Sequence, residues 1–352
     1  MLAQRIIYGT LAIVTLVAIF LVDITIAQAS SSVAEPLGRL LERGSLVPLF
    51  IASVFMAGSW ELAAFLRKKN YLPYTWFAIA MVGAMILSPW LSAAGFLGQS
   101  PAAVEGVSNV LLLLGVATMG TGMITVFRGN PAESLSRSAA TLFIVLYIGL
   151  LGSFAVQLRC GRDIPGEQGA WLLLIVALVT KSSDIGAFFV GSALGRHKLA
   201  PRISPAKTVE GFLGGLAGSA AAAVGIWYLG SWAGATVGAI ESAMILSQPA
   251  AAPVPSSFYE SLAYMLNDAT ECFQFGTSRI MAPIWCAGVF GLIMSVSGQV
   301  GDLLESCFKR DADMKDSGQI IPRFGGILDL VDSPLMAIPV AWFLLTAVWE
   351  VV

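Results

Sequence analysis

Long apolar runs separated by short polar stretches dominate the chain. They lie near Ile6–Val22, Val47–Leu66, Trp76–Leu97, Val107–Phe127, Ala139–Leu158, Ala170–Leu194, Val209–Trp232, Ile280–Ser297 and Leu335–Trp349. A bilayer core of about 30 Å takes about 20 mostly apolar residues per helix, and these runs are of that order. They do not alternate between apolar and polar positions, as the strands of a membrane barrel do. The pattern predicts an all-α polytopic membrane protein with about nine transmembrane helices.

Two regions follow from the spacing of the runs. Residues 1–168 hold about five N-terminal spans, and residues 169–352 hold the spans with which the chemistry is associated. The longest stretch between spans, near residues 233–279, is expected to be an external linker. Its Gln248–Ser257 section is rich in Ala and Pro. Ser256–Phe275 reads as a packed loop, with a short interfacial helix as the alternative. No internal repeat is evident, so the inverted-repeat signature of transporters is missing. At the N-terminus, Arg5, an apolar run and Ala27-Gln28-Ala29 imitate a secretory signal. The run is long for such a signal and ends in Asp23, so a retained first helix is expected.

Composition agrees with the pattern. The chain is 57% hydrophobic and 12% charged, whereas soluble domains are roughly 45–50% apolar and about 25% charged. This excludes a soluble enzyme, a disordered chain and a coiled coil. A net charge of -2 argues against nucleic-acid binding. Four scattered cysteines and a single histidine, His197, exclude a disulfide framework and a multi-histidine metal site. The positive charges also set an orientation. With the N-terminus in the cytoplasm, fourteen of the 20 Lys and Arg residues fall on the cytoplasmic side and five on the other. Positive charge favours the inside, so the N-terminus is expected to be cytoplasmic and the C-terminus external.

Ionisable residues within spans are costly and point to function. Asp23 sits at a span end, where water would reach it, and reads as structural. Glu61 beside Trp60 is either an interfacial charge or part of a site. Lys181 and Asp184 are three residues apart on one helix face, and are either a self-neutralising packing pair or a functional one. Just beyond them lies Gly195–Gly211, with Arg196, Lys198, Arg202, Lys207, Ser204, Thr208 and Glu210. A new helix beginning near Thr208 would offer free N–H groups to an anion. Lys207 and Arg202 would add charge and a bidentate fork.

A second cluster runs from Gly301 to Pro334. If its helix continues through Lys309, then Asp302, Ser306 and Lys309 share one face. Gly325-Gly326 permits close backbone approach to a ligand. Asp329 and Asp332 follow at helical spacing. Carboxylates without histidine or thiolate favour a hard ion such as Mg²⁺, held with substrate phosphates. Acids, cations, hydroxyls and glycines at a cytoplasm-facing membrane site suit a nucleoside triphosphate and a phosphorylated lipid.

The motif S-x-x-K-R-x-x-x-x-K-D-x-G, followed by P-x-x-G-G-x-x-D-x-x-D-S, resembles the signature of the phosphatidate cytidylyltransferase family. Its residues here are Ser306, Lys309, Arg310, Lys315, Asp316, Gly318, Pro322, Gly325, Gly326, Asp329, Asp332 and Ser333. Upstream, D-x-x-A-(aromatic)-x-x-G from Asp184 and I-S-P-x-K-T-x-E-G from Ile203 are similar to the same family. The resemblance covers about a third of the chain. Four positions depart from it: Arg323-Phe324 stand where the family commonly has Gly-His, Leu330 where it commonly has Arg after Asp329, and Ser183 where it often has Asn before Asp184.

The resemblance implies an Mg²⁺-dependent nucleotidyltransferase that moves CMP from CTP to phosphatidate, in the bacterial cytoplasmic membrane. It implies that Asp302 and Asp329 hold the metal, with Asp332 and Asp184 next in line, and it leaves open a second, monovalent cation. Lys207, Lys309, Arg310 and Lys315 would hold the phosphates, with Lys309 among the catalytic groups. Ser204, Thr208 and Ser306 would donate hydrogen bonds, while Glu210, Gly325 and Gly326 complete the substrate site. A homodimer is also implied. The alternatives are another CTP-dependent lipid enzyme, either a polyprenol kinase or an ether-lipid cytidylyltransferase, or an ion-coupled transporter that uses Lys181, Asp184 and Asp302 as a relay.

Overall fold

The computed structural model describes residues 2–30, 37–97, 102–128, 131–160, 166–247, 274–275, 280–281, 284–314, 318 and 325–345. The first region supplies α1 (Leu2–Ala29), α2 (Leu37–Glu42), α3 (Leu46–Lys68), α4 (Thr75–Ala93), α5 (Ala102–Arg128), α6 (Ser134–Ile144) and α7 (Leu151–Cys160). A π-helical turn, Val145–Leu150, joins α6 to α7 without a break. The second region supplies α8 (Gly166–Leu194), β1 (Lys198–Ala200), β2 (Ser204–Thr208), α9 (Val209–Ser247), β3 (Gln274–Phe275), β4 (Ile280–Met281), α10 (Ile284–Asp311) and α11 (Leu328–Phe343).

Among the described residues, seven helices are long and apolar enough to cross a membrane. They match the second to eighth expected spans. The first and last expected spans coincide with α1 and with the 16-residue α11. The expected boundary at residue 168 falls in the first turn of α8.

Several boundaries depart from the expectation. Lys198–Thr208 is an antiparallel hairpin, although its two prolines make it read as loop. Extended backbone suits residues before proline, and Ala200 and Ser204 each precede one. Helix α9 continues past Trp232 to Ser247, so residues 233–247 of the expected linker are helical. Their Ala-rich sequence favours that. Residues 248–273 lie outside the described residues, while Gln274–Phe275 pairs with Ile280–Met281 as a short hairpin. The eighth span therefore starts at Ile284. The last helix starts at Leu328, ahead of Leu335, and so takes in both Asp329 and Asp332.

Helix α8 packs most extensively on α9, and α10 lies against α8, α9 and α11. In the first region α4 is flanked by α3, α5 and α7. The two regions meet where α11 packs on α7 and α3 and where α8 packs on α7 and α1. Val82, Met85, Ile86, Ile144, Ile148, Val156 and Leu335 belong to one continuous core.

Asp23 is not at a wet span end. It and Arg159 are both 0% exposed. Arg159 donates from Nε and Nη2 to Asp23 Oδ2, at 2.9 and 2.7 Å. The other oxygen, Oδ1, accepts from the backbone N–H groups of Leu46 and Val47, at 2.8 and 3.2 Å. Ser45 makes no side-chain cap for α3, so Asp23 satisfies those donors from α1. One carboxylate thus ties α1 to the start of α3 and the end of α7.

Arg159→Met would strand the Asp23 charge, at an expected cost of about 3–5 kcal/mol, read as a lower thermal midpoint in detergent. Adding Asp23→Asn removes the charge and keeps an acceptor for α3. Most of the loss is expected to be recovered in that double variant.

Candidate active site

The acids and lysines marked in the sequence converge where α8, α10 and α11 meet the β1–β2 hairpin. Helix α10 runs unbroken through Lys309 to Asp311, as the shared face of Asp302, Ser306 and Lys309 requires. Gly301 lets α11 come close, because a Cβ there would collide with the Asp332 carbonyl oxygen. The outcome is a group of three carboxylates, Asp302, Glu305 and Asp332, whose ligand oxygens lie within 4.8 Å of one another. Glu305 is 0% exposed and Asp332 is 5% exposed.

Lysines surround this group. Lys207 Nζ lies 2.6 Å from Asp302 Oδ2. Lys309 Nζ lies 2.6 Å from both Glu305 Oε2 and Asp329 Oδ1. Lys181 pairs with Asp184 at 3.1 Å, and the Ser333 hydroxyl reaches Asp184 Oδ2 at 3.5 Å. The Ser333 N–H and hydroxyl both donate to Asp332 Oδ1, at 2.6 and 3.2 Å.

Asp329 stands beside Glu305 at the edge of the group. Its second oxygen accepts from the Gly326 N–H at 2.6 Å. Gly325 has φ +99°, a conformation natural to glycine, and a Cβ there would run into Asp329 Oδ2. The paired glycines therefore wrap the Asp329 carboxylate at the start of α11.

Glu61 is buried against the start of α11, not exposed at the interface. It is 4% exposed. Its oxygens accept from the N–H groups of Ile327 and Leu328, at 3.0 and 2.8 Å. This satisfies two of the free donors at the start of α11, and the carboxylate lies at the positive end of that helix. A Cβ on Gly318 would meet Glu61 Oε1. An acid from α3 therefore holds the element that carries Asp329 and Asp332.

The hairpin residues have structural partners. Thr208 Oγ1 accepts from the Gly211 N–H at 3.1 Å, an N-cap for α9. Glu210 accepts from the N–H groups of Arg196 and His197 and sits 2.6 Å from His197 Nδ1. Arg310 Nε donates to the Ile203 carbonyl at 3.1 Å, tying the hairpin turn to α10. Ser204 lies on β2 and Ser306 on α10, both partly buried. Ser183, one of the departures from the motif, lies with its hydroxyl 2.6 Å from that of Ser295. Lys315, Arg323 and Phe324 lie outside the described residues.

Of the residues expected to hold the metal, the structure places Asp302 in the three-carboxylate group and Asp329 next to it. Glu305 is the member that sequence reasoning passed over. Its spacing of three from Asp302 puts both on one helix face, which was the signal available. The donor set is hard oxygen alone, as Mg²⁺ prefers. Asp184, Asp302, Glu305, Asp329 and Asp332 share Lys181, Lys207 and Lys309.

Comparison with known proteins agrees with this chemistry. Residues 3–348 match the Cytidylyltransferase family. A phosphatidate cytidylyltransferase of Bacillus subtilis is 35% identical over 200 residues, which cover 57% of this chain and 55% of that protein. One of Haemophilus influenzae is 28% identical over 295 residues, 83% of this chain and 86% of that protein. One of Chlamydia pneumoniae is 28% identical over 316 residues, 87% of this chain and 86% of that protein. The match thus spans about half of the Bacillus relative and most of the other two. With a family match that runs through both regions and the whole carboxylate group, the chain belongs to the cytidylyltransferase family.

Proposed function

We propose that this chain transfers CMP from CTP to phosphatidate, giving CDP-diacylglycerol and pyrophosphate, at the cytoplasmic face of the membrane. The observation that carries this reading is the meeting of Asp302, Glu305 and Asp332 with Lys207 and Lys309 inside a bundle of membrane-length helices. The family match and the relatives' names support it.

In the reaction a phosphate oxygen of phosphatidate attacks the α-phosphorus of CTP. The new P–O bond forms as the bond to the β-phosphate breaks, and pyrophosphate leaves with the electron pair. A phosphate monoester has its second pKa at about 6, so the nucleophile is ionised near neutrality and needs no strong base. Two polyanions must instead be brought together. Lys207 and Lys309 supply positive charge for that, and Arg310 lies beside the hairpin on the same side. Glu61 keeps α11 in place while they act. Mg²⁺ would be held by Asp302, Glu305 and Asp332, with Asp329 joining where Lys309 turns to the phosphates. When bound, the ion neutralises phosphate oxygens and the leaving pyrophosphate.

Nine spans with a cytoplasmic N-terminus belong to the same proposal, supported by the distribution of positive charge. On this topology, Ala200→Cys in the hairpin is labelled by an impermeant thiol reagent only from the cytoplasmic side.

Asp302→Asn is expected to lower turnover by about 100-fold or more, and to move half-saturation by Mg²⁺ to higher concentration. Labelled CTP, phosphatidate and purified protein check this; a phosphorylated lipid in place of a CDP-lipid would sink the assignment. Chelating divalent cations is expected to abolish product, and adding Mg²⁺ to restore it. Glu61→Gln sets an amide NH₂ among the donors at the start of α11. Turnover is expected to fall about 10-fold, with the larger effect on kcat, as for a group that orients ligands from behind.

A further inference from the structure

The π-helical turn Val145–Leu150 lies in the middle of a membrane-length helix. Such turns are rare and gather at functional sites. This one carries Tyr147. Its ring stacks on Phe143, with centroids 5.6 Å apart and planes within 6° of parallel. It also meets the edge of Phe308 at 5.4 Å. Phe308 immediately precedes Lys309 on α10, so the phenol rests against the helix that supplies Asp302 and Glu305.

Tyr147 is 7% exposed, and its hydroxyl has no hydrogen-bond partner among the described residues. Buried polar groups nearly always have one. The charges of Asp332 and Glu305 act on this hydroxyl. A phenol O–H is a donor, and an acceptor oxygen arriving at the carboxylate group would satisfy it. The surroundings narrow the choice of ligand. Ile144, Val145 and Ile148 of the same stretch are buried in the apolar core. The water-facing cations Arg202 and Arg310 lie instead on the hairpin and at the end of α10. A phosphate carried on an apolar molecule suits these apolar neighbours of Tyr147 better than one carried on a nucleotide.

We propose that the Tyr147 hydroxyl donates a hydrogen bond to a phosphate oxygen of the lipid substrate, which makes Tyr147 a lipid-headgroup-binding residue. This role rests on the reaction proposed above.

Tyr147→Phe removes one oxygen and keeps both ring contacts. In mixed micelles, its KM for phosphatidate is expected to rise about 10-fold while its KM for CTP stays put. A rise in the CTP value instead, or no change in either, overturns the proposal. Phe143→Leu loosens the same stack and keeps the hydroxyl. If it reproduces the phosphatidate effect, packing is responsible and the proposal falls. Binding to phosphatidate-containing vesicles without CTP separates this role from the reaction. Weaker binding by Tyr147→Phe than by the unmodified protein upholds the role even if no CDP-lipid is ever formed. Equal binding by the two proteins overturns it.

Discussion

An ionised carboxylate in an apolar phase persists only beside a cation, a metal or converging N–H donors. Asp23, Glu61, Asp302 and Glu305 each meet that condition, and the bundle is organised around how they do so. Asp23 takes the Arg159 fork and the start of α3. Glu61 takes the start of α11. Asp302 and Glu305 take Lys207 and Lys309. The first two cases join helices. In the third, the partners are flexible lysines, and lysine, unlike backbone, can change partners.

That difference shows how one constraint yields both scaffold and site. A helix start cannot leave its cap without unwinding, so Glu61 and Asp23 are permanent fixtures. Lys207 and Lys309 lie against acids that the proposed reaction assigns to a cation. On that proposal a cation held by those acids would leave the ammonium groups to phosphate, and each would favour the other's binding through the shared lysines.

The spans were legible because an apolar run long enough to cross a bilayer seldom occurs outside one. The charge cluster was legible because Asp302, Lys309, Asp329 and Asp332 stand in recognisable spacing. What the sequence hid is contact between distant segments. Nothing beside Glu61 names α11, 266 residues away, as its partner. Nothing beside Asp23 names Arg159, 136 residues on. The hairpin was hidden by its prolines, and Tyr147 by a run of apolar neighbours in which a phenol reads as core. Glu305 alone was within reach of a spacing argument.

The cap that Glu61 places on α11 also bears on how the chain enters the membrane. Helix α11 carries Asp329, Asp332, Pro334 and Pro339 in 16 residues, and an aspartate at the centre of an inserting helix costs about 2.5–3.5 kcal/mol. It is a poor candidate for partitioning into lipid alone. Its first N–H groups find Glu61 on α3, Ser333 finds Asp184 on α8 and Asp329 finds Lys309 on α10, all made earlier in synthesis. On the proposed nine-span topology, α11 therefore inserts against a surface that α3, α8 and α10 already provide.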